Sequence, residues 1–140
     1  MHDVRTRADI ERIVAHFYER TLVDPIIGFI FVDVAKIDLA SHLPIINDFW
    51  EDALFKSDEK KYARNTLAVH LELADKVMLR PGHFTRWLYL FEQAVDAHAS
   101  GAVADAMKAR AHSVAKSIAA ALTDAKRGDM RLTLKDTQPK

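Results

Sequence analysis

The chain has 140 residues, a length suited to one domain around a single core. Hydrophobic residues make up 49% and charged residues 29%, and 20 basic side chains balance 20 acidic ones, so no overall basic field for nucleic acid and no acidic tail is present. Cysteine is absent, which excludes disulfides, thiolate zinc sites, iron–sulfur clusters, cysteine nucleophiles and C-x-x-C-H haem attachment.

The opening "MHDVRTRADIER" is polar and charged, unlike a signal peptide, and no apolar run approaches the ~18–20 residues that span a bilayer. A cytoplasmic protein is expected. Four glycines and four prolines favour a few long helices over many short strands. The first helix carries Ile10, Ile13, Val14, Phe17 and Tyr18 at helical spacing, with Thr6 as N-cap and Asp9 three residues on. Asp24-Pro25 reads as a new start, with Asp24 capping and Pro25 in the first turn, followed by "IIGFIF".

A strong helix is predicted over "SHLPIINDFWEDALF", 41–55, with Pro44 in or near its first turn because proline has no N–H to donate. At 100° per residue, His42, Ile46, Phe49 and Ala53 fall within about 40° of one another, so His42 shares an apolar face. Residues 56–66, "KSDEKKYARNT", read as a charged, exposed connection. A short helical piece follows with Leu67, His70 and Leu71. A helix then opens near Pro81 with Phe84, Trp87, Leu88, Phe91 and Val95 on one face, and Ser100-Gly101 ends it. The last helix runs from about 102 to 127, with Val103, Met107, Ala111, Val114, Ile118 and Leu122 inward. Gly128 is its expected stop. The domain is thus 1–128, and 129–140 is a polar, mobile tail.

The seven histidines are His2, His16, His42, His70, His83, His98 and His112. A helical metal cage needs histidine and carboxylate at i,i+3 or i,i+4 converging from several helices. No H-E-x-x-H or E-x-x-H occurs, and the local pairs Asp38/His42 and His16/Glu19 are too few for such a cage. A haem asks less of the chain: one imidazole, a large apolar slot and a few polar groups. Phe17, Phe29, Phe31, Phe49, Trp50, Phe84, Trp87 and Phe91 supply such a slot. The same aromatics equally make the plain core of a small helical bundle, and composition and spacing alone favour that reading.

The order of segments goes further. "FYERTLVDPIIGFIF" (17–31), "SHLPIINDFW" (41–50), "VHLEL" (69–73) and "HFTRWLYLF" (83–91), in that order and spacing, resemble the group III truncated haemoglobins over about residues 8–125. The resemblance implies an all-α, two-over-two truncated globin fold around a noncovalent haem b. It implies that His70 is the proximal iron ligand. It places Tyr18, His42 and Trp87 on the distal, ligand-binding side, and Phe31, Ile46, Phe49 and Trp50 against the haem. Phe84 joins these haem contacts, and Arg64 and His83 are candidate partners for the haem propionates. His42 has three open roles: facing the ligand, swinging to a solvent gate, or binding iron as a sixth ligand. The chain has no Gly-Gly pair, as group III implies, but "ARNT" at 63–66 stands where many relatives carry Gly-Asn-Pro-like residues.

The residues suit those roles. A buried Tyr18 hydroxyl needs a hydrogen-bond partner and stays a neutral donor at pH 7, and Trp87 can only donate. The function implied is reversible binding of dioxygen, CO and NO, with slow release arguing against bulk oxygen transport. The alternative is NO dioxygenation or peroxide chemistry with electrons from an external, unknown reductase, since no flavin or nicotinamide motif occurs. No nucleic-acid or membrane partner is expected, and the oligomeric state stays open. A haem-free helical interaction module is the third reading. His2, His16, His98 and His112 read as surface or structural.

Overall fold

The computed structural model describes residues 1–55, 59–62, 73 and 76–137, with backbone alone for 124–137. Among the described residues, four α-helices are bounded: α1 (Arg7–Thr21), α2 (Leu39–Phe55), α3 (Pro81–His98) and α4 (Ala102–Thr137). A π-helical turn, Ile30–Val34, lies between α1 and α2, and no strand occurs among the described residues. α1 packs on α3 and α2, and α3 packs on α4, giving two helices over two.

α1 starts where its cap predicts. The Thr6 hydroxyl accepts from the Asp9 N–H at 3.4 Å while the Asp9 carboxylate accepts from the Thr6 N–H at 3.1 Å. Asp9 also accepts from the Arg5 N–H at 2.8 Å and bonds Arg12 and His2. These donors, led by the Arg5 N–H, hold its carboxyl below the usual carboxylate range. Ile10, Ile13, Val14, Phe17 and Tyr18 are buried along one stripe.

The N-terminal segment then crosses to the start of α4. The Asp3 carboxylate accepts from the N–H groups of Val103 and Ala104 at 2.9 and 2.8 Å, capping that helix from a distance of 100 residues in sequence. Gly101 is needed beside it: its φ is +145°, and a Cβ there would meet Asp3 at 2.5 Å.

α2 begins two residues before the predicted segment, so Pro44 lies inside it, beyond the first turn. The proline removes one backbone bond but the helix continues, with the Asp38 carbonyl accepting from the Ser41 and His42 N–H groups at 3.1 and 2.8 Å. α3 opens at Pro81 as expected, and it closes at His98 with Ala99 as C-cap, slightly before Ser100. α4 buries Ala104, Met107, Ala111, Ala115 and Ile118, while Val103, Val114 and Leu122 are half-buried. Gly128 does not stop it: the helix continues to Thr137, because a single glycine costs a helix only about 1 kcal/mol and does not terminate it. The predicted helical piece around Leu67, His70 and Leu71 lies outside the described residues.

The core centres on Phe91 of α3, which is 1% exposed. Its ring lies between two indoles, stacked on Trp50 of α2 at 5.0 Å and on Trp87 one turn back at 5.5 Å. Phe17 of α1 meets it edge-on at 5.6 Å. Phe91→Ala is therefore expected to lower unfolding stability by about 3–5 kcal/mol, the cost of deleting a fully buried aromatic whose surroundings cannot collapse. Urea denaturation of the two proteins checks it.

Candidate functional site

An apolar cavity of about 350 Å³ opens between the helices. α1 contributes Val14, Phe17 and Tyr18; the π-turn contributes Ile30 and Phe31; α2 contributes His42, Ile45, Ile46, Phe49 and Trp50; α3 contributes His83, Phe84, Trp87 and Phe91. The helical spacing of His42, Ile46 and Phe49 explains why these three α2 side chains arrive together.

The sequence singled out Tyr18, His42, Trp87, Phe31, Ile46, Phe49, Trp50, Phe84 and His83, and the fold brings them to this one cavity. His70 and Arg64 lie outside the described residues. Phe29, expected to help fill the slot, instead stands 41% exposed, its ring 6.1 Å from His83 and turned away from the lining. Tyr62, Leu73 and Lys76 line the cavity and were not singled out. A lone aromatic in the charged run "KSDEKKYAR" was a readable signal for Tyr62. Lys76 carried none.

Two polar side chains of the lining meet in the cavity. The Tyr18 hydroxyl lies 2.7 Å from His42 Nε2, and the rings meet edge-on at 5.2 Å. Tyr18 is only 5% exposed, and burial pushes its phenol well above the ordinary 10.0, so it remains protonated at any physiological pH. Two arrangements follow from the tautomer of His42. Either the phenol donates to a bare Nε2, or Nε2–H donates to the phenol oxygen and the phenol proton is released toward the cavity. Phe17 and Phe31 close edge-on around the Tyr18 ring at 5.0 and 5.9 Å and hold it in place.

Two acids set the walls. Asp24 follows α1, and its carboxylate accepts from the Ile26 and Ile27 N–H groups, each at 3.0 Å, as the sequence predicts for a cap. The same carboxylate takes Arg86 Nε and Nη2 of α3 at 2.9 and 2.6 Å. This pair ties the turn that delivers Ile30 and Phe31 to the helix that delivers Trp87. Gly28 completes the turn: a Cβ would come within 2.9 Å of the Leu22 carbonyl. On the other side, Asp52 of α2 accepts from the Lys61 and Tyr62 N–H groups at 2.9 and 2.7 Å, and Tyr62 packs edge-on against Phe49 at 5.2 Å.

At the rim stand Lys76, which is exposed, and half-buried His83. His83 Nδ1 accepts from the Arg80 N–H at 3.0 Å, so a neutral imidazole carries its proton on Nε2. Among the described residues no group of three or more His, Asp or Glu is placed to hold a metal ion, and no helix is long and apolar enough to cross a membrane.

The Arg86 guanidinium beside Asp24 holds its carboxyl below the ordinary 3.8. A lowered carboxylate value means that the stabilisation is complete above 3.8 and is lost as pH falls through the lower folded-state value. Asp24→Asn should therefore melt below the parent at pH 7, and the gap should narrow as both are acidified through the carboxylate range. Melting temperatures recorded against pH test this, and a constant gap would contradict it.

A scan against models of known families matches none, and a search of curated proteins finds no relative. Among solved structures, the crystal structure of the group III truncated haemoglobin from Campylobacter jejuni superposes with a TM-score of 0.73 at 24% identity, covering 84% of this chain and 92% of that one. The fold of this chain is that of a truncated globin.

Proposed function

We propose that this cavity binds haem b and that the protein reversibly holds dioxygen and related diatomics beside it. The observation that carries the reading is the lining of the cavity: among the described residues, an apolar aromatic interior, the Tyr18–His42 pair, and two basic groups, exposed Lys76 and half-buried His83. Haem is an apolar disc with two carboxylates at its edge, so this lining fits it, and the volume falls within the usual ligand-pocket range of about 300–1,000 Å³. The likeness in fold and the order of sequence segments support the same reading. By that resemblance His70 is the residue to hold the iron. Phe31, Ile46, Phe49, Trp50 and Phe84 would pack on the ring, with His83 and Lys76 toward its carboxylates.

When bound, haem supplies a redox-active metal that takes small diatomic ligands. The chain supplies their surroundings. Tyr18 and Trp87 are neutral hydrogen-bond donors at the cavity wall, and His42 decides by its tautomer whether the Tyr18 proton points inward. The aromatic wall excludes water, which strengthens each such bond. The alternative is NO dioxygenation or peroxide cleavage with an external reductase. A phenol pushed upward by burial is a poor proton source, which favours holding a ligand over cleaving it.

The first test is the absorption spectrum of the purified protein: ferric, reduced, and reduced under CO. A Soret band that shifts to a histidine-ligated carbonmonoxy form is expected, and His70→Ala should lose it. No Soret band, even after haem is added to the apoprotein, would refute haem binding. Tyr18→Phe should accelerate dioxygen release by about tenfold, equivalent to ~1.4 kcal/mol, the value of one hydrogen bond to a partly charged acceptor. An unchanged off-rate in stopped-flow mixing would remove that role. Turnover of NO or peroxide with a supplied electron donor separates the enzymatic alternative.

A further inference from the structure

The sequence offered no reason to pair His16 with His98, which lie 82 residues apart, yet the fold sets His16 Nδ1 2.9 Å from His98 Nε2. The rings meet at 83° with centroids 5.0 Å apart. His16 sits midway along α1 and His98 is the last residue of α3. Both are half-buried. The two helices are locked together beside them by Phe17, Ala94 and Val95, all 3% exposed or less, so the imidazoles stand on rigid supports.

We propose that His16 and His98 form a two-imidazole site for a borderline divalent transition metal ion of the zinc class, separate from the aromatic cavity. The distance is the first argument. Metal–nitrogen bonds of about 2.0–2.1 Å set two adjacent ligand nitrogens roughly 2.9 Å apart at a right angle and roughly 3.3 Å apart at the tetrahedral angle. The pair already has the first spacing and needs to open by only about 0.4 Å for the second. Turning the two rings off their shared N–H···N line would let both nitrogens face one ion at that spacing while the helices keep their places.

The donor set is the second argument. Imidazole nitrogen without thiolate selects zinc, nickel and copper and disfavours calcium and magnesium. With no third His, Asp or Glu placed to ligate among the described residues, water completes the coordination on the open side. The metal-free pair is held by a single N–H···N bond in which either ring can donate, so one of the two facing nitrogens carries a proton that must shift to the other nitrogen of its ring before both can ligate. Because the ligands come from α1 and α3, the bound ion staples the helix that carries Tyr18 to the helix that carries Trp87.

The test is calorimetric titration of the purified full chain with Zn(II) near pH 7.5, with melting temperatures recorded alongside. One site per chain is expected, with a higher melting temperature when metal is bound. His16→Gln and His98→Gln should each weaken it by at least about tenfold, since losing even an outer-shell partner of a metal ligand costs that much. His112→Gln, which breaks only the separate contact with Glu92, should leave it unchanged. Absence of Zn(II) binding by the parent would overturn the proposal without recourse to any variant. So would a site that survives at full affinity in a folded His98→Gln protein.

Discussion

Phe91 lies between the indoles of Trp50 and Trp87 with Phe17 on its edge, and this stack decides how α1, α2 and α3 can approach one another. Four large rings from three helices do not compress, so the helices stay apart on the side where the rings end. The cavity begins there, and its wall is the exposed flank of the same stack. Stability and vacancy therefore come from the same residues. A core of smaller aliphatic side chains would let the helices close.

Such a cavity is costly unless something shapes its rim, and here carboxylates do so. Asp24 holds the turn after α1 and reaches Arg86 on α3, while Asp52 holds the chain at Lys61 and Tyr62 against α2. Each satisfies two or more donors, so each connects segments far apart in sequence without leaving a buried charge unpaired. Between these anchors Tyr18 and His42 present a polar pair to the cavity. Their 2.7 Å contact satisfies both groups while leaving the position of one proton open. That open choice makes the pair a chemical element as well as a structural one.

The π-turn and the early start of α2 are adjustments to the same requirement. A wider turn at Ile30–Val34 places Phe31 against Tyr18, and beginning α2 at Leu39 carries Pro44 into the helix while His42 keeps its place on the apolar face. Neither is written in local propensity. Propensity alone would keep Pro44 within the first turn, and packing overrode it.

Helical periodicity, the Thr6–Asp9 cap, Asp24, Pro81 and the shared face of His42, Ile46 and Phe49 were all legible in the sequence, because each is decided within about one turn of chain. The order of four aromatic segments was enough to indicate a truncated globin fold. Other features depended on residues that meet only after folding. The contact of Tyr18 with His42, the clamp of Asp24 on Arg86, the capping of α4 by Asp3 and the meeting of His16 with His98 span 24, 62, 100 and 82 residues respectively. No local pattern encodes such pairings, since their partners are selected by the angle and depth at which helices pack. Phe29 shows the converse. Its place in an apolar run suggested the interior, but the turn set by Asp24 rotates it outward, where neighbouring Ile30 and Phe31 take the places at the cavity.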